Sequence, residues 1–215
     1  MTPAPLHRAT ASPKPALIEA QAATRDALTA FIAERFAEVY GARLYCYLPR
    51  LFGLHGADAE LLAAVGLRSA ASGPLFLERY LDDPIEAWVA KRQARPVSRQ
   101  QIVEVGNLAG ATPGALRELI PMLCERLQAE GFQWVAFTGA ARLCNGFSRL
   151  GLPLEIIAPA PIERLAEHER AAWGRYYDSA PSVMLGDIGN GSRLLRHQQC
   201  EGGDPLAALA RVGAP

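Results

Sequence analysis

QIVEVGNLAGATPGALRELIPMLCERLQAEGFQWVAFTGAARLCNGFSRLGLPLEII, residues 101–157, decides the fold class. Ile102 to Leu108 reads as a strand. Thr112 and Pro113 open a helix whose apolar stripe, Leu116, Leu119, Ile120, Leu123 and Leu127, recurs at intervals of three and four. Gly131 stops it. Trp134 to Thr138 is a nearly unbroken apolar run, the pattern of a strand buried on both faces. Leu143, Phe147 and Leu150 mark a short helix, and Leu154 to Ile157 a further strand. A β-α-β-α-β order needs a crossover helix and a parallel pair of strands, so the chain belongs to the α/β class. Pro121 conflicts with this pattern, because an interior proline costs a helix about 3 kcal/mol. It predicts a kink or a later helix start.

Upstream, Thr24 has the character of an N-cap for a helix carrying Leu28, Phe31, Ile32 and Val39, closed by Gly41. Leu44, Cys46 and Leu48 alternate with Tyr45 and Tyr47, which predicts a strand ended by Pro49. LLAAVGLRSA (61–70) reads as its hairpin partner across a long turn. Asp83 and Pro84 supply a cap oxygen and an N1 proline to a helix with Ile85, Trp88 and Val89. Downstream, residues 161–173 read as one polar helix and SVMLGDI (182–188) as the last strand. The expected organisation is one folded domain over 21–190, a proline-rich flexible tail over 1–20, and a glycine-rich, weakly periodic flexible tail over 191–215.

The 215 residues are 50% hydrophobic, enough for one large core. Lys+Arg equals Asp+Glu at 22 each, so no net charge draws the chain to nucleic acid or an anionic membrane. The opening MTPAPLHRATASPKPA lacks the apolar core of a secretion signal. No apolar run reaches the roughly 18 residues of a membrane span. A cytoplasmic location is expected, with Cys46, Cys124, Cys144 and Cys200 as reduced thiols. His7, His55, His168 and His197 have no metal-ligand spacing, and there is no HExxH or GxSxG. No metal or tightly bound cofactor is expected.

Chemistry concentrates in IVEVGNLA. Gly106 inside a strand suggests a bulge or a close backbone approach. GATPG follows and leads into a helix N-terminus, whose unpaired N–H groups suit a phosphate. Glu104 shares a face with Gly106, and Asn107 takes the other. Flanking Ile102, Val103 and Val105 predict burial of Glu104, which raises its pKa toward that of a useful base. An ion pair with Arg68 or Arg99 would lower it instead. LFLERYLDD gathers Glu78, Tyr80, Asp82 and Asp83, a set able to hold a cationic amine, or to form a solvated face with Asp83 as a cap. Asn145 and Arg149 fall near the open end of the sheet.

ERFAEVYGARLYCYLPRLFGL, VGLRSA, LFLERYLDDPIE, IVEVGNLA, FTGAARLCNGFSRLGL and WGRYYDSAPSVMLGDI, spread from Glu34 to Ile188, resemble the bacterial thermostable hemolysin family. Through it the chain is similar to the GNAT acyltransferase superfamily, especially the acyl-homoserine-lactone synthases. Those enzymes carry a G-x-R strand, an acidic segment and a strand ending Glu-x-Ser-Arg. The resemblance implies a GNAT-like mixed central sheet flanked by helices, with a splayed parallel strand pair. It implies an N-acyltransferase that moves an acyl group from acyl-CoA or an acyl-carrier protein to a small amine in a ternary complex. The thioester, acyl-CoA or acyl-phosphopantetheine, is then a co-substrate.

The implied catalytic set is Glu104, Glu78 and Asn107. Arg68, Tyr80, Asp82, Thr138, Asn145 and Phe147 would contact substrate. Val105, Gly106, Leu108, Ala109, Gly110, Gly114 and Ala115 would hold the donor arm and its phosphates. Phe76, Phe137, Phe147 and Leu150 would line an acyl tunnel. Gly106 and Asn107 replace the Ser-Arg pair, which argues for a different amine. GATPGA replaces the usual Arg/Gln-x-x-Gly-x-Gly/Ala, which favours a carrier-protein donor. The family name itself implies the alternative, a membrane-active haemolysin.

Overall fold

The structure is a computed structural model describing residues 14–112 and 114–200. Its strands are β1 (Ala16–Glu19), β2 (Arg50–His55), β3 (Leu61–Ser69), β4 (Ile102–Gly110), β5 (Trp134–Gly139), β6 (Leu154–Pro159) and β7 (Ser182–Asp187). Its helices are α1 (Ala22–Tyr40), α2 (Ile85–Gln93), α3 (Ala115–Ala129), α4 (Ala141–Arg149), α5 (Glu167–Arg170) and α6 (Ile188–Cys200). The strands form one sheet in the order β1-β2-β3-β4-β5-β7-β6. Every neighbouring pair is antiparallel except β4 and β5, which are parallel and joined by the crossover helix α3. This is the GNAT-like mixed sheet that the resemblance implies.

Strand alternation sorts the core. Phe52, Val65, Leu67, Val103, Val105, Phe137 and Met184 face α3, burying Leu119, Leu123 and Leu127 of that helix. Ile102, Trp134, Ala136, Val183 and Leu185 face the opposite way, against Leu77, Ile85 and Val89. Leu51, Ala64 and Ala109 pack on Leu28, Ile32 and Phe36 of α1. Pro121 lies inside α3. Burying each leucine there contributes about 1.5–3 kcal/mol, enough in sum to offset the missing hydrogen bond.

Several boundaries differ from the sequence reading. Gln21, not Thr24, is the N-cap of α1, with Thr24 Oγ1 accepting from the Gln21 N–H. Gly41 closes that helix at φ +66°, as expected. Residues 42–48 are not a strand; pairing begins at Arg50. Their polar groups bond elsewhere: Leu48 N–H donates to Asn107 Oδ1 (2.8 Å), and Arg25 takes the Leu48 and Pro49 carbonyls. Asp83 does not cap α2 but pairs with Lys91 at 2.7 Å. Residues 161–173 break into two 3-10 turns and α5 rather than one helix.

The expected tails also differ. Ala16–Glu19 is an edge strand, and residues 188–200 form α6, which buries Ile188, Ser192 and Leu195 at helical spacing. Residues 1–13 and 201–215 lie outside the described residues, as does Pro113, the expected first residue of its helix.

Candidate active site

β4 and β5 begin as a parallel ladder and then separate. Ile102 pairs with Trp134, Val103 with Val135 and Glu104 with Ala136, and the pairing ends there. β4 runs on to Gly110 on the β3 side and β5 to Gly139 on the β7 side. A bulge redirects β4: Ala64 pairs with Ala109 but Gly66 with Gly106, so Asn107 and Leu108 oppose Val65 alone. The left-handed residue is Asn107, at φ +50°, rather than Gly106. Asparagine adopts this conformation more readily than most residues. The extra residue reverses the alternation, so Leu108 packs on the α3 face and Ala109 on the α1 face.

A cavity of about 1250 Å³ opens in the splay and passes from one face of the sheet to the other. Tyr40, Phe76, Trp173 and Tyr176 wall its α1 side; Ile120, Phe147 and Leu150 line its α3 side. Phe76 and Trp173 meet in a tilted contact at 5.7 Å between ring centroids, and Phe137 and Phe147 at 5.2 Å. The four residues expected to line an acyl tunnel, Phe76, Phe137, Phe147 and Leu150, all border it.

Glu104 sits at the fork with 4% of its surface exposed, the one charged side chain buried among the described residues. Its oxygens accept N–H bonds from Phe76 (2.9 Å) and Leu77 (2.8 Å). Burial pushes its pKa up, against those two bonds and the nearby Arg68 charge. Neither expected arginine neutralises it. Arg99 pairs with Glu78 and Glu86. Arg68, its cross-strand partner, donates to the Pro74 carbonyl at 3.2 Å and forms no ion pair among the described residues. Each carboxylate oxygen keeps a further lone pair for a proton or an amine.

Glu78 is different. It accepts from Leu75 N–H (2.7 Å), Ile85 N–H (3.0 Å) and Arg99. Burial disfavours its charge, but these donors outweigh it and the pKa falls below the usual range. It accepts the first N–H of α2 and ties down the 75–80 turn. Asn107, expected to be catalytic and on the face away from Gly106, instead turns its amide to Leu48. A Cβ on Gly106 would meet that same Leu48, at 3.0 Å, and one on Gly66 would stand 2.9 Å from Asn107 Oδ1.

Of the expected substrate contacts, Arg68, Thr138 and Phe147 border the cavity. Tyr176 Oη donates to the Thr138 carbonyl at 3.4 Å. Tyr80 is buried off the cavity, its hydroxyl 2.5 Å from that of Tyr177. Asp82 is exposed and pairs with Arg164, and Asn145 is exposed on α4 away from the cavity. Val105, Gly106, Leu108, Ala109 and Gly110 line the slot, whereas Gly114 and Ala115 lie just beyond its lining. Sequence reading missed Tyr40, Trp173, Tyr176 and Arg117, which border the cavity from α1, the 171–179 turns and α3. The aromatic density of WGRYY (173–177) was the available signal.

No helix among the described residues is long and apolar enough to cross a membrane, and no group of three or more His, Cys, Asp or Glu there could hold a metal ion. Comparison with solved structures finds TofI in an apo form, with 15% identity and TM-score 0.56, covering 80% of this chain and 91% of that one. It also finds FeeM, an N-acyl amino acid synthase from uncultured soil microbes, at 15% identity and TM-score 0.53, covering 83% and 94%. MesI, a CoA-dependent acyl-homoserine lactone synthase, matches at 13% identity and TM-score 0.53, covering 88% and 96%. At such identities the likeness is one of fold. No curated protein matches. The family model for thermostable hemolysin matches residues 18–192, nearly the whole described chain, and the protein therefore belongs to the thermostable hemolysin family.

Proposed function

We propose that the protein is an N-acyltransferase that moves an acyl group from a thioester to a small amine. One observation carries this reading: β4 and β5 part after Glu104 and Ala136, leaving a slot whose wall holds a buried carboxylate. Main-chain groups of β4 past the fork have no β5 partner, so a pantetheine arm can bond to them as an added strand would. The acyl chain runs toward Phe137, Phe147 and Leu150 on the α3 side. The amine approaches from the side of Phe76 and Trp173.

The amine nitrogen attacks the thioester carbon as the C–N bond forms and the C–S bond breaks. Glu104 takes the proton lost by nitrogen, directly or through water, and the departing sulfur leaves as a thiol after gaining a proton. Backbone N–H groups near Gly106–Leu108 polarise the carbonyl. Arg117 and Arg149 border the cavity without ion pairs among the described residues and are suited to the phosphates of the donor, acyl-CoA or acyl-phosphopantetheine on a carrier protein.

The test is incubation with short, medium and long acyl-CoA or acyl-carrier protein and a panel of amines, read by thiol release and product mass. Acyl amide is expected. Absence of both donor binding and product across the panel would overturn the proposal. Vesicle leakage by purified protein without donor or amine would favour direct lysis, the family name's alternative, instead.

A further inference from the structure

We infer that the acceptor is an amine bearing an adjacent carboxylate, an amino acid, held through its carboxylate by Arg68. This deepens the acyl-transfer reading and rests on it. Three guanidiniums border the α1 side of the cavity: Arg35, Arg68 and Arg79. Arg35 pairs with Glu38 at 2.7 Å and Arg79 with Glu169 at 2.7 Å. Arg68 has no carboxylate within ion-pair distance among the described residues, and its one hydrogen bond, to Pro74 O, leaves most of its five donors unused.

Arg68 and Glu104 are register partners on adjacent antiparallel strands. Such partners stand about 4.5–5.5 Å apart with side chains on one face. An unpaired cation and a buried carboxylate are therefore neighbours at the fork. Glu104 is already held by the N–H groups of Phe76 and Leu77, which leaves Arg68 free to turn toward a ligand. An amino acid spans the two: its carboxylate takes the planar fork of Arg68, and its nitrogen lies toward Glu104 and the thioester. A neutral amine fills the same volume but leaves the guanidinium unsatisfied.

The experiment compares each of several amino acids with its carboxamide and its decarboxylated amine under one acyl donor, in the wild-type chain and in Arg68→Gln and Arg68→Lys. Circular-dichroism melts check that the variants fold. The acids are expected to exceed their amides and amines in kcat/KM by about 10-fold or more. Arg68→Gln should collapse that ratio through KM, and Arg68→Lys should restore part of it. Equal use of acid and amide, or a ratio that Arg68→Gln leaves intact, overturns the inference while acyl transfer stands. Absence of product from every acceptor overturns both.

Discussion

Two clusters of carboxylates use the same chemistry to opposite ends. At the outer edge, Glu19 of β1, Arg50 of β2, and Arg126 and Glu130 at the end of α3 form a closed network. The two guanidiniums lie over the Phe52 ring at 5.1 and 5.2 Å. Arg50 and Arg126 pull the Glu130 carboxyl down to about 2, and Arg50 lowers Glu19. At the fork, Glu104 is more deeply buried, meets no ion-pair partner among the described residues, and has its pKa raised by burial. A carboxylate given a cation is spent on stability. One buried at the fork, with two backbone N–H bonds and no close ion pair among the described residues, has its pKa raised instead.

The largest expected effect tests the inner cluster. Glu104→Gln should lower turnover by about 100-fold or more, and because its amide replaces one of the two accepting oxygens with an NH2, it should also cost about 1–3 kcal/mol of stability by stranding the Phe76 or Leu77 N–H. Thiol release and thermal melts read the two quantities separately. A variant that retains half its turnover would remove Glu104 as the base. The pH profile sharpens the same point. Because burial raises the folded pKa, the acid limb of kcat/KM should fall at a pH above the ordinary carboxylate value of about 4.3, and Glu104→Gln should abolish that limb.

The outer cluster should respond in stability alone. Arg50→Met leaves Arg126 as the remaining partner of Glu19 and Glu130 and, in a network about a third exposed, should destabilise the fold by about 1 kcal/mol in denaturant titrations. Turnover at moderate temperature should stay close to wild type. Glu130 has a folded pKa below its unfolded one, so its contribution is complete above about 4.5 and lost as pH falls toward 2. Melts of the wild type should decline over that window, and Glu130→Gln should flatten the decline. The remaining effect is expected at the bulge. Asn107→Ala removes the Leu48 N–H partner and puts alanine at a positive φ, for a loss of about 1–2 kcal/mol. It should raise the donor KM more than it lowers kcat, marking Asn107 as a positioning residue.

The α3 crossover and the parallel pair were legible because Leu119, Leu123 and Leu127 repeat at helical period and Trp134 to Phe137 is continuously apolar. Burial of Glu104 was legible for the same reason, from its apolar neighbours. The strand expected at Leu44–Leu48 was misread because Tyr–Cys–Tyr alternation looks like pairing, while the partners of that backbone, Asn107 and Arg25, lie far along the chain. Glu78, not Asp83, meets the first N–H of α2 for a related reason. Local cap chemistry favours Asp83, but the 75–80 turn carries Glu78 to the Ile85 N–H.

Periodicity and composition alone determined an α/β chain with a crossover helix, a glycine-marked strand and a carboxylate among apolar residues. Those are local properties, set by which side chains recur on one face. Only the tertiary structure decided that the strand bulges at Asn107, that it leaves β5 after Glu104, and that Arg68 at the fork has no ion-pair partner among the described residues. Each of these depends on partners remote in sequence competing for one hydrogen bond or one charge, and that competition has no signature in the order of the residues.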